Sequence, residues 1–139
     1  MATFNKFQPY IERLHEGEID WDGHSFKVAL TNTIPTSGMD DLADITQIAN
    51  GNGYTTGGTA TTITASSQTA GTYKAVASDV VFTASGAGMA AFQYAVLYDD
   101  THASDALVGW WNYGSSIALA AGETFTVDFD ATNGVIQAT

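Results

Sequence analysis

The sequence predicts a mainly β fold, a β-sandwich or jelly-roll-like single domain with one N-terminal α-helix. Three observations predict it. Six to eight segments alternate apolar and polar residues with a period of two. Turn residues separate them, with no second long helical stretch between. Thr, Ser, Gly and Ala fill the room left by charged residues, which make up only 14% of the chain, as in proteins of short strands and many turns. At 139 residues the chain has the size of one domain and can bury roughly two-thirds of its unfolded surface. No repeat or linker divides it, so the reading is residues 1–18 as a helical contact or packing element and 19–139 as the β-sandwich.

Phe4, Phe7, Ile11 and Leu14 recur at helical spacing with Tyr10 beside the stripe, which predicts a helix over about residues 4–16. Thr3 or Asn5 can cap it, Pro9 falls in its first turn, and Gly17 ends it. After a turn at residues 20–24, Phe26, Val28 and Leu30 alternate with Lys27, Ala29 and Thr31 as a half-buried strand. Leu42, Ile45, Ile48 and Ala49 suggest a short helix within 40–49, and residues 50–59 form a glycine-rich loop. Further strands are read at 61–65, 72–77, 79–83, 89–99, 107–113 and 123–130. In the segment 89–99, Phe92, Tyr94, Val96 and Tyr98 are expected on one face, with Ala91, Gln93, Ala95 and Leu97 on the other. Asn133-Gly134 predicts a tight hairpin into residues 135–138.

Charge and composition exclude several classes. Four Lys and Arg stand against 15 Asp and Glu, a formal net charge of −11. Such a surface repels phosphate, so neither nucleic acid nor an anionic membrane is an expected partner. The absence of cysteine removes disulfides, thiolate metal sites and a cysteine nucleophile. No apolar run approaches the ~18 residues of a membrane span. Residues 1–6 carry no signal-peptide pattern, so synthesis in a cytoplasm is expected.

Several clusters could carry chemistry. Asp20, Asp22 and His24 have the density of a cation loop without its further spaced oxygens, and Asx turns explain them more simply. Asp99, Asp100, His102 and Asp105 could hold a divalent ion or form a solvated acidic loop. Asp128 and Asp130 fall on the polar face of one strand, where a solvated face is the default. The three histidines lie in no Ser-His-Asp pattern with a nucleophile elbow, and the glycines of 50–59 do not follow the phosphate-cradling arrangement. No enzyme and no cofactor are therefore expected. Adjacent Trp110 and Trp111 must face opposite sides of a strand, so one enters the core. The other meets either a second layer or a binding partner.

Four stretches resemble a family of small tailed-bacteriophage virion proteins. They are Phe4–Phe7 leading through Ile19–Asp22 into Phe26–Thr31; Asp44–Ile48 running into Gly53–Gly58; Tyr94–Asp100 with Leu107–Gly114; and Gly122–Val127 with Asn133–Ile136. The order of these segments along the chain carries the resemblance. It implies a structural role, foremost a capsid decoration (cement) protein on the outer capsid surface, made in the host bacterial cytoplasm. The implied partners are the major capsid protein and other copies of the chain, as a trimer at local threefold positions. Contact residues would be Phe4, Phe7, Tyr10 and Ile11 of the N-terminal helix, with Trp110 or Trp111. The alternative is a tail or fibre component whose exposed aromatics bind host surface glycan.

Overall fold

Two long strands organise the molecule, because they alone carry enough alternating apolar residues to cross the whole core. The structure, a computed structural model, describes residues 2–139. In chain order these hold β1 (Phe4–Lys6), α1 (Gln8–His15), β2 (Phe26–Thr31), β3 (Thr59–Thr61), β4 (Ile63–Thr69), β5 (Thr72–Ala77), β6 (Val80–Thr83), β7 (Met89–Asp99), β8 (Ala106–Leu119), β9 (Thr124–Val127) and β10 (Ile136–Ala138). The fold is mainly β and sandwich-like, with one helix near the N-terminus. A five-stranded antiparallel sheet has the order β1-β8-β7-β2-β3, a three-stranded one β10-β5-β4, and a pair β6-β9.

Phe26, Val28 and Leu30 of β2, Phe92, Ala95 and Leu97 of β7, and Val108 and Trp111 of β8 form one face of the core. Ala75 and Ala77 of β5, Val80 and Phe82 of β6 and Val127 of β9 close over them. Each fully buried Phe or Leu contributes about 1.5–3 kcal/mol. The opposite face of the large sheet is covered too. There Ala29, Val96, Tyr98 and Leu107 pack with Phe7 and Ile45, flanked by Met39, Leu42 and Trp110. Sequence patterning marked β2 as half-buried; it is buried on both faces except at Lys27, whose ammonium pairs with Asp100 at 3.2 Å.

Several expectations are corrected. The helix does not begin at residue 4: Phe4–Lys6 is a strand, with Phe4 opposite Trp111 and Lys6 opposite Gly109. Gly109 permits this, because a Cβ there would strike the Phe4 ring. The Phe7 N–H then donates to the Val108 carbonyl, and the helix starts at Gln8 with Pro9 in its first turn and Phe7, not Thr3 or Asn5, at the N-cap. It ends as expected at Gly17 (φ +80°): Gly17 N–H donates to Leu14 and Glu18 N–H to Arg13, a Schellman closure.

In place of a short helix in 40–49 there is one 3-10 turn, Leu42–Asp44, tied by reciprocal side-chain bonds between Asp41 and Asp44. Ile45 leaves it extended, and Gln47 bridges to Thr31. In β7 the expected alternation breaks at register shifts on either side of Phe92, which place that ring with Ala95 and Leu97 rather than with Val96 and Tyr98. Asn133-Gly134 does not return the chain onto β9. Asp130 accepts from the N–H groups of Thr132 and Asn133, and the turn delivers β10 to β5.

Residues 2–18 thus share the core with the rest of the chain: Phe7 and Tyr10 are fully buried, and the Tyr10 hydroxyl accepts from Trp21 Nε1 at 2.8 Å. Deleting residues 1–16 should abolish the cooperative thermal transition and the β circular dichroism. A truncated chain that melts like the intact one would show that β1 and α1 are accessory.

Candidate functional site

The hydrogen-bonded ladder of β7 and β8 fixes two ends of the molecule. Eleven residues in β7, at ~3.3 Å each, separate them by roughly 35 Å. At one end the β7–β8 loop, the turn before β2, the segment 40–44 and the end of α1 converge. At the other end lie loops 50–53, 84–88 and 119–123, joined where Ser85 N–H donates to Asn52, Gly88 N–H to Ser85 and Gly122 N–H to Ala84.

The first end gathers the acids. Five lie in residues 12–22, three in 40–44 and three in 99–105, eleven of the chain's fifteen. Two cations are fixed among them. Arg13 sits 3.0 Å from both Asp40 and Asp41 and 3.6 Å from Glu18, and Lys27 holds Asp100. These partly exposed pairs are individually worth little, but together they set where the loops lie.

The one wholly buried carboxylate here is Asp99. Its Oδ1 accepts from the N–H groups of Thr101 and His102 at 2.9 and 3.2 Å, and its Oδ2 lies 2.6 Å from His24 Nδ1. A carboxylate only accepts, so His24 carries its proton on Nδ1. His102 is held in the other sense: its Nδ1 accepts from Ser104 N–H, leaving Nε2–H to donate to Glu18 at 3.2 Å.

Asp99, Asp100, His102 and Asp105, grouped in sequence as a possible ion site, therefore face different partners. Among the described residues no three His, Cys, Asp or Glu come together to hold a metal. Asp20 serves the Asx turn that its spacing suggested, accepting from Asp22 N–H at 3.0 Å. β9 ends at Val127, so Asp128 and Asp130 lie beyond it rather than on its polar face, with Asp130 capping the following turn. Burial, reinforced by the charge of Asp100, raises the carboxyl of Asp105 above its ordinary value. Burial also pushes the hydroxyls of Tyr10, Tyr54 and Tyr113 up to about 12, so all three stay protonated.

The proposed contact residues separate. Phe7, Tyr10 and Trp111 are buried within their own chain and offer nothing to a partner. Phe4 is half-buried against Trp111, and Trp110 is half-buried with its ring 4.6 Å from that of Phe7. Ile11, 38% exposed, is the most accessible of the six.

The feature that motif reading missed is the opposite end. Its exposed side chains are Ser, Asn, Ala and Thr, and its one carboxylate, Glu123, accepts from Ala120 N–H at 2.7 Å. The signal was present as charge-free runs, residues 45–73, 80–98 and 106–122, which the pairing of β7 with β8 aligns.

Asp99→Ala removes a buried acceptor, strands the part-buried N–H groups of Thr101 and His102, and should destabilise the fold by about 2–4 kcal/mol in urea titration. Asp105 is harder to ionise folded than unfolded, so it weakens the fold as pH rises from its unfolded to its folded value. It also sits at φ +52°, which Asn tolerates. Asp105→Asn should therefore raise Tm at neutral pH, with the gain shrinking near about pH 3. An equal gain at both pH values would assign it to the backbone alone. Comparison with known proteins finds no matching family model, no matching curated protein and no matching solved structure.

Proposed function

We propose that the chain is a bacteriophage virion structural protein, a capsid decoration protein that sits on the outer surface of the head. The observation that carries this reading is the lengthwise segregation of charge: eleven carboxylates at one end, an almost uncharged surface of small polar residues at the other. A protein that coats a shell in many copies needs one orientation. Docking by the almost uncharged end removes at most one carboxylate, that of Glu123, from water, and burying a charge without a partner is costly. The acidic ends then face solvent, where mutual repulsion spaces neighbouring copies and discourages a second layer.

The resemblance of the four sequence stretches supports the same role, and the fold supplies a rigid body suited to it. Contact is proposed through loops 84–88 and 119–123, not through α1, whose Tyr10 and Leu14 are occupied in the core. Each site can be weak, because the lattice multiplies it.

Cryo-electron microscopy of the particle that carries the chain tests this reading. The expected result is density at capsomer junctions in many copies, with loops 84–88 and 119–123 inward. A few copies at the tail tip would instead favour the glycan-binding alternative, and absence from the particle would end both. As a second check, Ala87→Glu combined with Ala121→Glu should lower particle binding at least about tenfold while leaving Tm unchanged, because the docking end would then carry charge into the contact.

A further inference from the structure

Among the described residues most strand edges are short, and the 112–119 stretch of β8 that β1 leaves uncovered is broken by Gly114 at positive φ and by register shifts against β7. β1, β3 and β10 span three residues each and β6 and β9 four. β4 is the exception. It runs seven residues, Ile-Thr-Ala-Ser-Ser-Gln-Thr, pairs only with β5, and contains no charge and no proline. Proteins blunt an exposed edge by shortness, charge, proline or a covering element, since a row of free N–H and C=O groups templates another strand. β4 carries only an irregularity between Ile63 and Ala65, and from Ala65 to Thr69 it pairs with β5 residue by residue. The two-residue turn Ala70-Gly71, both at positive φ, makes Thr69 and Thr72 a hydrogen-bonded pair. By alternation the backbone groups of Gln68 and Ser66 then point away from β5, toward the open edge.

We propose that β4 is the strand through which two copies of this chain pair, antiparallel across a twofold axis at Ser67. In that register Ser66 of each copy faces Gln68 of the other, and all four outward N–H and C=O groups on each copy gain partners. Charge argues for a second copy as the occupant. Each copy carries −11, so self-association must occur where carboxylates are absent, and residues 45–73 hold none. Identical strands laid antiparallel here oppose only Ser, Thr, Ala, Gln and Ile. Asp20 and Asp22 border the same shallow depression as Ser66 and Tyr73, and Asp79, Asp128 and Asp130 border one with Thr64, so salt should strengthen the pairing by screening them. A contact of this length buries less than the roughly 1,200 Å² of a stable complex, which sets the expected Kd at roughly 0.1–1 mM. This inference concerns the isolated chain and stands whether or not the chain coats a capsid.

The test is sedimentation equilibrium and amide NMR on the full chain from about 20 μM to about 1 mM, at low and high sodium chloride. The expected result is a mass rising toward the dimer, more so in salt, with concentration-dependent shifts and exchange protection at the Ser66 and Gln68 amides. Ser67→Glu opposes two carboxylates on the axis and should hold the chain monomeric with an unchanged melting curve; Gln68→Pro should do the same by removing an outward donor. A chain monomeric throughout, or a dimer that survives both variants, overturns the proposal. So does protection that builds up elsewhere than β4.

Discussion

The central constraint is that the β2–β7–β8 ladder is covered on both faces where β7 runs from Tyr94 to Asp99 and β8 from Ala106 to Trp111. A sheet with one wet face can carry its polar residues there, but this one cannot, and the rest of the chain is arranged to answer that demand. The inter-sheet core takes one face. The other is closed by Phe7 and by the long segment between β2 and β3, anchored through Ile45, Met39 and Leu42. Past Lys27, which reaches Asp100 at the end of the strand, the alternate positions of β2 are consequently small or hydroxylic, Ala29 and Thr31. Adjacent Trp110 and Trp111 follow from the same demand, one ring serving each face.

Charged groups are pushed to the periphery by this arrangement, and they collect where loops rather than strands form the surface. The acidic end then acquires its own order. Asp99 organises the β7–β8 loop from inside, while Arg13 draws α1 against the 40–44 segment. The uncharged end is built differently, from backbone bonds between loops whose side chains are too small to interfere.

Much of the fold was legible in the sequence. The long strand 89–99, the strand 72–77 and the Schellman glycine were all readable, because each depends on local periodicity or on one residue's φ. What failed depended on tertiary pairing. Phe4 and Phe7 have helical spacing, yet Gly109 and the free edge of β8 recruit the first as a strand residue. Phe92 lies one step out of its strand's alternation because bulges reset it. Asn133-Gly134 has hairpin chemistry, but the edge of β5 competes for the strand that follows. The surface was hardest to read. Trp111 looked like a contact residue because composition cannot say whether a second layer exists, and the charge-free end became visible only when β7 and β8 aligned runs distant in sequence.

The pairing of β1 with β8 has a temporal consequence. Residues 4–6 form one edge of the main sheet, but their partners are residues 109–111. At about 5–20 residues per second of synthesis, the N-terminal strand exists for roughly ten seconds before its neighbour has been made. During that time Phe4, Phe7 and Tyr10 have no core to enter. The sheet therefore closes only after residues 109–111 have left the ribosome, and residues 4–6, made about a hundred residues earlier, are among the last to be fixed in place.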